Sequence, residues 1–186
     1  MYKQLLFCLE TNSHAATDWI YIMETISKFY NLSNKIKLSQ VYMNSKTRYN
    51  SKRVLEEIDK KTKKYTLGET YVIYCIDVDD FESNPDHVKE FNDISSFCNR
   101  NGYELIWFCH DIEEVFLGKR ISDSEKVRES GAFRKKKLIN SINDSMLLSS
   151  NNHRVHSSNI LTVLGNYLES AQEEYNHERS EQRENI

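Results

Sequence analysis

The chain has 186 residues, 39% apolar and 28% charged, with a formal charge of −3. That length can bury one sizeable core, and a single Pro with five Gly excludes a fibrous or loop-dominated chain. The negative balance excludes a global attraction to nucleic acid, so any such binding needs a local basic patch. No apolar run reaches the length of a membrane span, and the first residues lack the basic and apolar regions of a secretory signal. A cytoplasmic protein is expected.

In chain order, Lys3 to Leu9 reads as a strand with Glu10 just after it. A helix is expected from about Thr17 to Tyr30, because Trp19, Ile20, Met23, Ile26 and Tyr30 form one broad apolar face. A second strand is expected near Ile36 to Tyr42, then a polar loop from Asn44 to Ser51 that carries Lys46 and Arg48. Val54, Leu55 and Ile58 give an amphipathic helix over about Lys52 to Lys63, with a charged outer face. The apolar run Tyr71 to Ile76 reads as a strand buried on both faces. It ends in Asp77-Val78-Asp79-Asp80. Asn84-Pro85 opens a helix carrying Val88, Phe91, Ile94 and Cys98, and Asn101-Gly102 closes it. The last core strand runs from Glu104 to Cys109, and His110-Asp111 leads into a short helix at Ile112 to Leu117, stopped by Gly118.

Composition changes at Lys119. Arg120 to Gly131 reads as polar and mobile, and Phe133 to Ile142 as a helix with a basic run at Arg134, Lys135, Lys136 and Lys137. Ser149 to Ser158 reads as a linker whose last serines cap a final helix bearing Ile160, Leu161, Leu164, Tyr167 and Leu168. Residues 171–186 form a nearly all-polar tail, with too little apolar surface to offset ordering. Strands alternating with helices of roughly ten to fifteen residues imply βαβ units. The expected fold class is α/β, with a mostly parallel four-stranded sheet flanked by helices over residues 1–118. A helical C-terminal extension at 119–170 packs on that core. The four cysteines form no CxxC pair, so reduced core thiols are expected.

The acids fall at comparable places. Glu10 follows the first strand, Asp77 and Asp79 the third, and Glu113 lies just beyond the fourth. In a parallel sheet these ends share one edge, where the sites of open α/β sheets form. Crowded carboxylates repel one another, so the cluster fits a cation site of the magnesium type; it also fits a polar turn capping a strand. Asp77 and Asp79 alternate along an extended segment and are expected to face one cation, with Asp80 turned away. Glu10 is a candidate ligand or general acid/base, or else a surface acid. Glu113 is a candidate further ligand or the structural partner of a basic group. His14 and His110 flank the same edge as proton carriers or plain loop residues, while His153 and His156 sit in the linker. Lys46, Arg48, Arg134 and Lys135 are candidate phosphate contacts, or solvated faces.

A Glu after the first strand and an Asp-x-Asp after a later one is similar to the Toprim pattern of topoisomerases, primases and repair nucleases. The closer resemblance is to the RloB-like family, small Toprim-type proteins found with bacterial restriction and phage-defence loci. Leu5-Leu6-Phe7-Cys8-Leu9-Glu10, Asp77-Val78-Asp79-Asp80-Phe81, Ile112-Glu113-Glu114-Val115-Phe116-Leu117 and Ser157-Ser158-Asn159-Ile160-Leu161 each resemble a segment of that family. The resemblance covers about residues 3 to 168. Two segments depart from it: Thr11-Asn12-Ser13-His14 stands where the family has a glycine turn, and His110-Asp111 where it has Asn-Pro.

The resemblance implies a Toprim-like (Rossmann-like) sheet and a nuclease that uses Mg²⁺ or Mn²⁺ to cleave nucleic acid, DNA or RNA. Glu10, Asp77 and Asp79 would be catalytic, and these three with Glu113 would hold the metal. It also implies a setting in phage defence or a mobile element and a partner protein encoded nearby, with an oligomer allowed. The alternative is a non-catalytic module of the same type that binds a partner protein or a nucleotide through this edge. A receiver-type regulatory domain fits less well. That class places its acid pair after the first strand, where this chain has Glu10 alone.

Overall fold

A computed structural model describes residues 1–171 except Glu82 and His153. The polar tail expected from residue 171 therefore lies, but for Ala171, outside the described residues, as does His153. The chain runs through β1 (Lys3–Leu9), α1 (Thr17–Phe29), a two-residue β2 (Tyr30–Asn31), β3 (Ile36–Tyr42), α2 (Lys52–Lys64) and β4 (Glu69–Asp77). Then come α3 (Pro85–Asn101), β5 (Glu104–Cys109) and α4 (Ile112–Leu117). The remainder holds α5 (Asp123–Lys135), α6 (Asp144–Leu147), β6 (Ser157–Ser158), α7 (Ile160–Gly165) and β7 (Glu169–Ser170).

The strands are apolar on both faces because both faces are covered. Leu5, Phe7 and Leu9 of β1 pack with Ile73 and Cys75 of β4 against Tyr21, Ile22 and Ile26 of α1. The alternate residues Leu6, Cys8, Val72, Tyr74 and Ile76 pack against Val54 and Ile58 of α2 and Ile94 and Cys98 of α3. Two cores thus sandwich one sheet of order β3-β1-β4-β5-β6. β1 pairs in parallel with β3 and with β4, and β4 pairs in parallel with β5. The fold is α/β with a mostly parallel, Rossmann-like sheet. In the β1 register Leu9 lies opposite both Tyr42 and Cys75. The chain after β1, β3 and β4 therefore emerges along one edge. All four cysteines are buried free thiols. Among the described residues no helix is long and apolar enough to cross a membrane.

The structure departs from the sequence expectations in the last third. The sheet has five strands rather than four, because Ser157 and Ser158 pair antiparallel with Cys109 and Phe108. These serines belong to the sheet and not to a linker. Asn159 completes the join: its Oδ1 accepts from Trp107 N at 3.0 Å and its Nδ2 donates to Leu105 O at 2.9 Å. A side chain here satisfies backbone groups that a longer strand would otherwise take. The last helix shrinks to Ile160–Gly165, with Ser158 Oγ accepting from Ile160 N.

The segment expected to be mobile is instead the start of α5, which runs Asp123–Lys135 and packs on α1. Its docking rests on one ring. Phe133 is fully buried, 4.9 Å from the Tyr21 ring and 5.7 Å from the Phe116 ring. A helix with one large apolar anchor has no 3.6-residue period to detect. Phe133→Ala is expected to cost about 3–5 kcal/mol, read as a lower urea midpoint at an unchanged slope. A loss below about 1 kcal/mol would mean that α5 is held by something other than this ring.

Candidate active site at the carboxyl edge of the sheet

The parallel register delivers Glu10 and Asp77 to adjacent places. Glu10 Oε1 accepts from Asp77 N at 2.7 Å, so the first acid is oriented by the strand end that carries the second. Asp77 Oδ1 in turn accepts from Ile112 N at 3.0 Å, at the start of α4. The first N–H groups of a helix have no intrahelical acceptor, and they favour a carboxylate. Asp18 enters from the first turn of α1. It is 8% exposed, with Oδ2 accepting from Thr11 N at 3.3 Å and Oδ1 from Thr17 Oγ1 at 3.4 Å. Glu10, Asp18 and Asp77 line a cleft of about 510 Å³ with Asn44, Ser45 and Lys126.

Glu113 stands behind this cleft with 0% exposure. Its Oε2 lies 3.2 Å from Lys126 Nζ, and its Oε1 is buried with no hydrogen-bond partner. Lys46 is buried beside Asp77, donating to Asp77 O at 3.0 Å and pairing with Asp79 and with Glu90 at 3.3 Å. Three left-handed non-glycine residues, Ala16, Asn44 and Asp79, sit at or beside the cleft. Such backbone is costly for a side-chain-bearing residue and concentrates at functional sites.

Burial sets the electrostatics. It pushes the Glu10 carboxyl up to about 8, and Asp18 and Asp79 add to the rise, while Lys46 and the Asp77 N–H oppose it. Burial also raises Asp18, and it raises Asp77 well above the ordinary carboxylate range with help from Glu10, Asp18 and Glu113. Glu113 is pushed up to about 7 by burial, against the pull of Lys126. Burial works against the charge on Lys46 and Lys126, yet the surrounding carboxylates prevail and raise both. The edge thus holds more carboxyls than its two lysines could offset were all of them ionised. Among the described residues, no three Asp, Glu, His or Cys side chains converge as a formed coordination sphere. The donor set is nonetheless all hard oxygen, the type that Mg²⁺ and Mn²⁺ take. The unpartnered Glu113 Oε1 is one buried atom in want of a positive partner.

The structure separates Asp79 from Asp77. Asp79 has φ of 55°, so the chain has already left the extended conformation that would align the two side chains. Its carboxylate meets Lys46 instead. Asp80 pairs with Arg120, which also reaches Glu114 at 3.3 Å. His110 is bound into that second group through Glu114 Oε2 at 3.1 Å, and His14 is an exposed residue of the turn held by Asn12. His156 Nδ1 lies 3.1 Å from Glu114 O. Arg48 is exposed, in the single turn Lys46–Arg48. Arg134 pairs with Glu24 at 3.3 Å and, with Lys135, stands about 12 Å along α5 from Lys126.

Sequence reading passed over Asp18 and Lys126. Thr17-Asp18 reads as an ordinary helix start. The signal available was topological: in a βαβ unit the helix after the first strand starts at the same edge where that strand ends. No family model, curated protein or solved structure matches this chain.

The raised carboxyls carry a pH signature. In EDTA, Glu10 keeps its proton to about pH 8 when folded, against an ordinary value of 4.5 when unfolded. Between those values the folded state holds more protons, so stability falls as pH rises through the window and levels off above it. Glu113, raised to about 7, adds to the same fall. Glu10→Gln keeps an acceptor for Asp77 N and is expected to flatten the melting temperature profile across this window. A variant profile parallel to the wild type would show that Glu10 ionises normally.

Proposed function

We propose that this protein is a divalent-cation-dependent phosphodiesterase acting on nucleic acid, of the Toprim and RloB type that its sequence resembles. The observation that carries the reading is the placement of Glu10, Asp18 and Asp77 on one cleft, with all three carboxyls raised by burial and those of Glu10 and Asp77 also by their neighbours' charge. Carboxylates kept together at such a cost favour a cation. Glu10 Oε2 and Asp77 Oδ2 are the oxygens left for it, since Glu10 Oε1 and Asp77 Oδ1 accept backbone hydrogen bonds. Asp18 supplies a further oxygen, and Asp79 joins only by releasing Lys46. A bound Mg²⁺ or Mn²⁺ supplies polarisation of the phosphate and stabilises charge on the leaving oxygen.

The chain's own residues account for the rest. Glu10 serves either as a ligand, ionised by the cation it holds, or as the acid/base: free of the cation, burial raises it to about 8, so near neutrality it carries a proton that it can give to the leaving oxygen. Lys126 lines the cleft as a positive charge for a phosphate, while Lys46 is engaged beside it with Asp77 O, Asp79 and Glu90. A setting in phage defence or a mobile element, with a partner encoded nearby, follows from the resemblance alone.

A second reading has one observation in its favour. Lys46 already sits among the acids, hydrogen-bonded to Asp77 O and paired with Asp79. A lysine that takes the cation's place would suit a non-catalytic module binding a partner protein or a nucleotide at this edge.

Calorimetry with Mg²⁺ and Mn²⁺ separates the two. Wild type is expected to bind one or both ions and to cut single- or double-stranded DNA or RNA. Asp77→Asn, which keeps an acceptor for Ile112 N, should weaken ion binding about 10- to 100-fold and abolish cleavage without lowering the melting temperature in EDTA. A wild type that binds neither ion and cuts none of these substrates would leave the second reading standing.

A further inference from the structure

A second cleft lies on the other face of the sheet, and its chemistry is the reverse of the first. β1 and β3 turn Gln4, Leu6 and Cys8 with their partners Lys37, Ser39 and Val41 toward α2. The apolar members sit in the core with Val54 and Ile58. Toward the strand starts the inward positions become polar, and there a cleft of about 540 Å³ opens between α2 and the sheet. Its lining includes five cations, Lys37, Arg53, Lys60, Lys61 and Lys64, and two carboxylates, Glu56 and Glu57. The carboxylates are already engaged: Glu57 with Arg53 at 3.6 Å and Lys61 at 3.7 Å, and Glu56 with Lys52 at 3.8 Å. Among the described residues Lys37, Lys60 and Lys64 have no carboxylate within ion-pair distance. Such a concentration of positive charge in a chain of formal charge −3 is a local patch of the kind nucleic-acid binding requires.

The floor of the cleft is Gln4. It is 1% exposed, and its Oε1 is buried with no hydrogen-bond partner. A buried amide without a partner is unfavourable, and an apolar residue at this inward position would let α2 close on the sheet as it does over Leu6 and Cys8. The amide can offer a ligand either an acceptor or, by a half-turn, a donor.

The cleft also has a direction. At one end Arg53 donates to Tyr42 O at 2.7 Å and Met43 O at 3.1 Å. These residues run directly into Asn44 and Ser45, which line the acidic cleft. From Arg53 to Lys64 the helix offers a track of about 16 Å, long enough for several phosphates of one strand. We propose that the α2–β3 cleft binds the phosphate backbone of a nucleic-acid strand and leads it toward the acidic cleft. This deepens the nuclease reading and rests on it for the class of ligand.

The test is fluorescence anisotropy with a labelled single strand of about 20 nucleotides, as DNA and as RNA, in EDTA over about 50–200 mM salt. Each single-strand phosphate contact contributes about 0.7 to the salt slope. The triple variant Lys37→Gln, Lys60→Gln, Lys64→Gln is therefore expected to lower the slope by about 2 and weaken binding about 10-fold or more. The same charge change at Lys89, Arg100 and Lys119, exposed cations outside the cleft, should leave the slope nearly unchanged. Melting curves establish that both triples fold. Equal losses from the two triples would reduce the effect to net charge and overturn the proposal, as would a wild type that binds neither strand. Displacement by poly-glutamate of equal charge, as readily as by unlabelled strand, would overturn it in favour of an acidic protein partner. Because EDTA removes divalent ions, a wild type that binds through this cleft yet cuts nothing retains the inference and ends the nuclease reading alone.

Discussion

β1 lies between β3 and β4 and pairs in parallel with both, and the rest of the molecule follows from that register. A parallel sheet needs cover on both faces, which is why α1 and α5 lie over one and α2 and α3 over the other. It also forces every strand to end on the same side. Glu10 and Asp77 are far apart along the chain, yet their strands differ little in where they leave the sheet. The bond from Asp77 N to Glu10 Oε1 records that meeting.

What the edge then does with its acids is a matter of desolvation. Four of the carboxylates are fastened by a backbone N–H: Glu10 by Asp77, Asp18 by Thr11, Asp77 by Ile112 and Asp111 by Glu114. These bonds position the groups and partly favour their ionised form. They do not offset burial, which is the largest influence on every one of them and raises it. The nearby lysines are spent on other groups: Lys46 meets Asp77 only through its backbone O, and Lys126 pairs with Glu113 and Asp123. The balance is one in which protons or an added cation complete the charge.

Charge is segregated across the sheet. The acids collect where the strands end, and the cations of the α2–β3 cleft line the space between α2 and the sheet. The net figure of −3 conceals both. A phosphodiester needs positive charge along its backbone and, at the bond to be broken, groups that handle a proton and a cation. The two clefts offer these separately, joined by the short stretch from Tyr42 to Ser45.

The sequence by itself determined the sheet and its flanking helices from α1 to α4. Continuous apolar runs such as Leu5–Leu9 and Tyr71–Ile76 admit few interpretations, and helix ends such as Asn84-Pro85 and Gly102 are local signals. It also placed Glu10 and Asp77 at one edge, since parallel topology follows from alternation alone. Tertiary structure alone decided the rest. α5 hides because one buried Phe133 gives no period, and β6 because two serines pair only once β5 is in place. Asp79 turns to Lys46 because a left-handed residue interrupts the extended segment. Asp18, Glu113 and Lys126 become neighbours of the acids only when α1, α4 and α5 dock. Periodicity reports which face of an element is buried; it carries no record of which side chains from distant elements will share the space beyond its ends.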